Sequence, residues 1–535
     1  MCTEAPPIDA RDPRGAAQRW RWNPAATAVV AGLAALALYA TTGSRGVEWQ
    51  DSGIHQYRIV SGLIESPLGL ALSHPLHYWL GRLTLHIPFG DPLHRLNLLS
   101  GLCGAVAVGV LAGLVARLTR SPLAAGFAAA AVGLAHSFWQ MSALTETYTL
   151  ATALMTIEWA LLLGYVRTQR PIWLVAVLAV NGLHVADHLL GLLPLATYGT
   201  LLLVLVLRGR VKPGWLAAAA GVWLLTASPY WTLALTHWQR TGELGETIRS
   251  ALFGGTPQAA NWTGNVLNTQ LPLAQVKLAA LAFGYCFPCA TVLVAVAGLL
   301  RRVRGRRRVF RWVLLGQTVL IFAFVGRYKI PDVYKYFVPI CALTALWFGW
   351  GVAGLLHRWR SGAGRRCLVL LLTANALLPL AVYYTFPIVA ERHGWAQGQL
   401  RDIPFRDEYR HFFQPWRSCG RGAAALAASA LEQMGPGGWL IGDNTTAFPV
   451  ATTCLVYGGP PGVRVYWFRD CLTDPTRTPL TDAELVSQVQ AGEHVLAVPS
   501  GGVARLIHPP LAIVKTTPFW HIIYSPPDSA PATAP

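Results

Sequence analysis

The stretch VEWQDSGIHQYRIV, residues 47–60, gathers Glu48, Asp51, His55 and Arg58 just after a long apolar run in which charges are scarce. A carboxylate at an apolar–aqueous boundary suits general-base work, because partial loss of water raises its affinity for a proton. An ordinary solvated helix end explains the position of Asp51 equally well. Glu146, in TETY with Tyr148, opens another apolar run, where the helix dipole alone favours an acid. Glu158 lies deeper in the same run and is a candidate functional group by its setting. HVADH sets His184 and His188 on one helical face with Asp187 beside them. A polar turn at the top of a hairpin accounts for that set as well as metal binding does. No metal ligand and no cofactor is assigned, a divalent metal being the less favoured reading. GRYKIPDVYKYF (326–337) offers Arg327, Lys329 and Lys335 among Tyr328, Tyr334 and Tyr336. Such cations meet lipid phosphates at a membrane surface without any further role.

The elements that must position these groups are membrane helices. The chain has 535 residues, 53% hydrophobic and only 13% charged, with a mean hydropathy of +0.40. Eleven runs approach the ~20 residues a span requires: 25–42, 96–116, 121–138, 146–166, 171–186, 189–207, 214–231, 272–300, 310–326, 334–355 and 367–389. The fifth and sixth are short and form a tight or partly re-entrant hairpin. The net charge of +18 sits in short arginine clusters between apolar runs, RRVRGRRRVFR (301–311) being the densest. That is the positive-inside pattern of a polytopic membrane protein, and it excludes a nucleic-acid partner. No cleavable signal is evident, so residues 1–24 read as a cytoplasmic tail. The sites above then fall at the outer face. The loop 43–95, with SGLIESPLGLALSHPLHYWLGRLTLHIPFG, is amphipathic and suits the membrane interface, bringing His74 and His77 near Asp51.

After residue 390 the pattern changes. GGWLIGDN, GVRVYWF, EHVLAVPS and HIIYS read as strands, and RGAAALAASALEQM and TDAELVSQVQAG as helices. This predicts a small α/β domain over 391–520, outside the membrane, followed by a disordered tail over 521–535. Of nine cysteines, Cys286 and Cys289 form a CxxC inside an apolar run, which reads as buried rather than metal-binding. Two of Cys419, Cys454 and Cys471 have the setting for a disulfide, with the pairing open. NWT at Asn261 and NTT at Asn444 match glycosylation sequons, a short pattern.

DSG after the first span, HPLHYWLGRL, PFGDPLHRLNLLSGLCGAVAV, HSFWQMSALTETYTLATAL and YKIPDVYKYFVPICALTALWFGWG occur here in that order. Together they resemble a bacterial multi-spanning family of GT-C type, related to the eukaryotic transmembrane protein O-mannosyltransferase of the endoplasmic reticulum. GDNTTAFP (442–449) resembles a GDNDTFP stretch in the outer part of some members. The resemblance runs from about residue 28 to 450. It implies a GT-C-like helical fold over 25–390 and transfer of a sugar, mannose among the candidates, from a polyprenyl-phosphate donor to a hydroxyl on a protein or envelope glycan. It places the reaction on the outer face of a bacterial inner membrane, with inversion at the anomeric carbon. It makes Asp51 the catalytic carboxylate and adds Glu146 as a catalytic residue. His55, His74, His77, Tyr148, His184, Asp187, His188, Arg327, Lys329, Tyr334 and Lys335 become substrate-binding candidates, the cations facing the leaving phosphate. Many members read DSGE where this chain has Ile54 and His55. The rival readings are a transporter or lipid flippase with polar groups along a path, and a non-catalytic envelope assembly protein. The lack of an evident internal repeat weighs against transport.

Overall fold

The computed structural model describes residues 23–525 except 256–262, 267, 269, 271–272, 303–304, 331, 360, 396, 398–399, 419 and 499–500. The expected N-terminal tail, Cys2, Asn261 and Cys419 therefore lie outside the described residues, apart from positions 23 and 24. Helix α1 (Pro24–Thr42) leads into a loop carrying α2 (Gln50–Ser61) and α3 (Pro75–Leu85). Then come α4 (Pro92–Thr119), α5 (Pro122–Gly133), α6 (His136–Ser142) and α7 (Tyr148–Thr168). One local code starts α1, α4 and α5. Asn23, Asp91 and Ser121 each accept a hydrogen bond from a first-turn amide, and a proline follows each cap. Helices α8 (Ile172–Asp187) and α9 (Leu192–Leu207) form the short hairpin, and α10 (Pro213–Thr226) is followed by α11 (Ser228–Thr241) and α12 (Leu244–Phe253). The expected span 214–231 is thus broken near Ala227, ahead of Pro229.

After the short α13 (Thr263–Val266), α14 (Leu273–Cys286) and α15 (Thr291–Leu300) meet at a 98° bend. The intervening FPCA carries Pro288, which cannot donate a helical hydrogen bond. Helices α16 (Arg307–Arg327), α17 (Phe337–Arg358) and α18 (Gly362–Arg392) complete the bundle. Every one of the eleven expected runs corresponds to a helix or a bent pair. By length and composition, seven helices among the described residues are long and apolar enough to cross a membrane, or up to nine if each bent pair is one span. The helices α8 and α10 are shorter. Small residues let the helices close up: Ala28 and Gly32 of α1 meet Gly109 and Gly113 of α4.

The chain continues through α19 (Glu408–Phe413) and α20 (Gly422–Met434) into a six-stranded mixed sheet of order β3-β2-β1-β4-β6-β5. Strand β1 (Trp439–Gly442) runs parallel to β2 (Arg464–Trp467) and β4 (Val495–Ala497). The antiparallel strands are β3 (Asp470–Cys471), β5 (Leu511–Thr516) and β6 (Phe519–Tyr524). The helices α21 (Ala447–Tyr457) and α22 (Asp482–Gln490) lie between strands in sequence. All four expected strand segments and both expected helices are present. The tail expected over 521–535 is corrected: His521–Tyr524 pair with β5 inside the sheet. Cys454 and Cys471 are free thiols. A shared core ties the first loop to this sheet, with Trp49, Tyr57 and Ile59 packed among Phe448, Val450 and Leu426.

Candidate active site

A buried amide network fixes the start of α2. Gln56 donates to Asn97 Oδ1 at 3.0 Å and accepts from the Glu48 amide at 2.9 Å. Asn97 in turn accepts from Thr145 Oγ at 2.7 Å and donates to the carbonyls of Ser44 and Gly46. These bonds lock loop 44–48, α2, α4 and the α6–α7 junction together. Gln50, just before Asp51, sits in the left-handed region at φ 52°, a strained conformation for a non-glycine residue that the surrounding network must hold.

Asp51 stands on this platform with its side chain 44% exposed, beside a Lys335 that is 6% exposed. Lys335 Nζ lies 2.6 Å from Asp51 Oδ2, 3.3 Å from Asp332 Oδ2 and 3.4 Å from Glu146 Oε1. One ammonium thus joins α2, the α6–α7 junction and the turn ahead of α17. Glu146, 1% exposed, also accepts from Ser52 Oγ at 3.1 Å, and His55 Nε2 is 3.6 Å from its other oxygen. Burial raises the Glu146 carboxyl, but Lys335, His55 and Ser52 outweigh it and bring it down to about 2. Asp332 moves the opposite way: burial and the charge of Asp51 exceed the pull of Lys335 and raise it. The carboxylates around one cation are therefore inequivalent.

Tyr78 Oη accepts from Arg58 Nη1 at 2.6 Å and lies 2.9 Å from His55 Nδ1, so the Arg58–Tyr78 pair holds the ring with its Nε2 toward Glu146. His74 donates from Nδ1 to the Asp187 carbonyl at 2.7 Å, and burial first, then His188 and His55, hold it well below the ordinary imidazole value. His188, desolvated next to His184 and His55, falls to about 3. Rings follow one another along the wall: His55 to His74 at 5.5 Å, His74 to His188 at 5.1 Å, His188 to Tyr148 at 5.0 Å, Tyr148 to Tyr336 at 5.2 Å.

These groups border a cavity of about 340 Å³. Its polar lining includes Asp51, His55, Arg58, Glu146 and Asp332; its apolar lining includes Leu72, Leu189, Leu193, Phe253 and Phe324. That mixture and size are those of a small-molecule site. Asp51, His55, His74, Glu146, Tyr148 and His188 line it, and Lys335 reaches it through Asp51. Besides Lys335, six expected binding residues do not line it. Arg327 is exposed and donates to the Asn268 carbonyl at 2.8 Å and 3.0 Å, because α16 ends there and the chain turns away. Its expected convergence with Lys335 beside Asp51 is therefore corrected. Lys329 is exposed. His184 turns to Glu158 at 3.0 Å, within a buried group completed by Asn181 and Tyr198. Asp187 is fully buried with no side-chain partner among the described residues, and Tyr334 packs against the helical core. His77 is buried 6.1 Å from the His55 ring, behind the lining. Among the described residues no three His, Cys, Asp or Glu side chains group as metal ligands.

Sequence reasoning passed over Ser52, Tyr78 and Asp332, whose types are common and whose roles arise from the fold. It also gave no role to Asn444, which lines the cavity from the sheet side.

The fold is shared with ArnT, a protein of known structure. The apo structure of ArnT from Cupriavidus metallidurans superposes with a TM-score of 0.54 at 17% identity, covering 95% of this chain and 99% of that one. The same protein bound to undecaprenyl phosphate gives 0.49 at 17% identity, over 97% and 100%. Residues 71–210 match the family described as the N-terminal domain of protein O-mannosyl-transferase TMEM260. The mouse protein O-mannosyl-transferase TMEM260 is 30% identical over 143 residues, 26% of this chain and 20% of that relative. Over that segment the chain is similar to this O-mannosyl-transferase, and it spans about a fifth of the relative's length. The matched segment contains His74, Glu146, Tyr148 and His188; Asp51 and Lys335 lie outside it.

Proposed function

We propose that this protein is a membrane glycosyltransferase that moves a sugar, mannose in the simplest case, from a polyprenyl phosphate to a hydroxyl of a protein or envelope glycan. The single observation that carries the reading is the Asp51–Lys335 pair at 2.6 Å, its carboxylate open to a cavity lined by both polar and apolar side chains. The apolar lining suits the first isoprene units, and the polar lining suits sugar and phosphate.

In this reading the acceptor oxygen attacks the anomeric carbon as its proton passes to Asp51. The bond from that carbon to the phosphate oxygen breaks, and its electron pair leaves with the lipid phosphate. Attack from the face opposite the phosphate inverts the centre. Lys335 links the two halves. Its ion-pair partners among the described residues are Asp51, Glu146 and Asp332, so an arriving phosphate competes for the ammonium and frees the Asp51 carboxylate to face the acceptor hydroxyl. Glu146 and Asp332 keep Lys335 in place. His74 and His188, neutral through the physiological range, serve as uncharged hydrogen-bonding walls.

We place the reaction at the outer face of a bacterial inner membrane, with the N-terminus cytoplasmic, 25–390 as the catalytic unit and the sheet domain outside. The test is purified protein with undecaprenyl-phosphate mannose and a serine- and threonine-rich peptide. The reading predicts release of undecaprenyl phosphate and mannosylated product. A protein that consumes none of a panel of polyprenyl-phosphate sugars contradicts it.

A further inference from the structure

Asn444 belongs to the GDNTT turn between β1 and α21, far in sequence from the helices that make most of the cavity, yet it lines the cavity together with Asp51 and Ile54. Its setting is built. Asp443 accepts from the Thr445 amide at 2.9 Å and pairs with Arg401 at 2.6 Å, fixing the turn. The indole N–H of Trp467, on β2, donates to Asn444 Oδ1. An indole only donates, so the carbonyl end of the amide must face Trp467 and the NH₂ end must face away from it. That NH₂ makes no hydrogen bond to a described residue, whereas the cavity's acids are occupied by Lys335, Ser52 and His55. Side-chain stacking closes the support: Trp467 lies 5.6 Å from Phe448, and Phe448 5.3 Å from Tyr57 of α2.

We infer that Asn444 is a specificity-determining residue whose amide donates a hydrogen bond to an uncharged oxygen of the acceptor molecule, next to the hydroxyl that Asp51 deprotonates. This rests on the transferase reading. The acceptor rather than the donor is assigned because the apolar wall, where a lipid tail must lie, is made by the loop around Leu72, by Leu189–Leu193 and by Phe253 and Phe324. Asn444 enters instead from the sheet, which packs over α2 and shares its core.

The experiment compares Asn444→Asp and Asn444→Ala with the unsubstituted protein, using undecaprenyl-phosphate mannose and the serine- and threonine-rich peptide. Two rates are followed: mannose transfer to the peptide, and hydrolysis of the donor when water is the only acceptor. Asp replaces the donor NH₂ by a charged acceptor and should cut kcat/KM for peptide at least tenfold, mainly through KM; Ala should cut it less. Donor hydrolysis and the KM for donor should stay within twofold. Trp467→Phe, which frees the amide without removing it, should give a smaller loss that vanishes in the Asn444→Ala background. Unchanged peptide kinetics in Asn444→Asp overturn the assignment. A raised KM for donor, with hydrolysis slowed equally, also overturns it by placing Asn444 on the donor. An unsubstituted protein that neither hydrolyses the donor nor transfers mannose overturns the transferase reading itself, and this assignment with it.

Discussion

Lys335 is the ammonium that Asp51, Glu146 and Asp332 share, and its removal separates structure from chemistry. It is nearly buried and within reach of three carboxylates. Removing that buried ammonium leaves the carboxylates around it uncompensated, at a cost of roughly 3–5 kcal/mol. Lys335→Met should therefore lower the thermal midpoint in detergent, and Glu146→Gln in the same chain should restore part of it. An equal or larger fall in the double variant would refute the shared-cation account. Glu146 also sets an acid limit. Its folded value of about 2 lies below its ordinary one, which is about 4.3. Its stabilisation is thus complete above the ordinary value and is lost as pH falls through that value toward the folded one. Acid melting curves of Glu146→Gln should be flatter over that window; identical slopes would contradict the shift. At this scale the sequence was legible where a rare charge met an apolar boundary, as at Asp51, Glu146 and Lys335. It failed for Arg327, because whether a terminal cation faces the cavity depends on where α16 stops, which composition does not encode. It failed for His184 too, whose helical face was legible but whose partner, Glu158, came from another helix.

Helices in this bundle approach at positions that tolerate no side chain. A Cβ on Gly298 of α15 would lie 1.9 Å from the Trp347 carbonyl oxygen of α17, whereas one on Gly126 of α5 would meet nothing within 4 Å. Gly298→Ala should destabilise by about 1–3 kcal/mol, as overpacking does. Gly126→Ala should be neutral or gain up to ~1 kcal/mol from helix propensity. Melting both in the same detergent tests the pair, and a Gly298→Ala protein as stable as Gly126→Ala would contradict the contact. The spans themselves were legible because apolar length is the signal. The breaks were less so: Pro288 announces its bend, but the 71° bend between α5 and α6 falls at Leu134–Ala135, which carry no breaker. The helix α21 was missed because AFPVATTCLVY contains proline and β-branched residues and has no helical period; burial against α2 and β1 makes it a helix. The Glu158 group joins α7, α8 and α9 and is fully buried. It reads as a helix clamp rather than as a station on a transport path.

The whole molecule joins a helical bundle to a sheet domain through α2, so the site and the domain share one core. Tyr57 of α2 donates to the Leu472 carbonyl at 2.7 Å across that junction. If the account is right, both lie on the same side of the membrane. A reporter fused at Pro535 should behave as extracytoplasmic, and a cytoplasmic signal would contradict the placement of every group assigned to the reaction. The overall class was legible from apolar runs and arginine loops, while the meeting of residues 51, 146, 335 and 444 is a property of the folded chain alone. The most direct test is the turnover of Asp51→Asn with undecaprenyl-phosphate mannose and peptide, beside Glu48→Gln. Glu48 does not line the Asp51 cavity. Asp51→Asn keeps the shape and removes the base, and general-base contributions are roughly 10²- to 10⁴-fold. The account predicts a loss of that size in kcat for Asp51→Asn with insertion and melting preserved, and little change for Glu48→Gln. Transfer by Asp51→Asn at a rate near that of the unsubstituted protein would contradict it.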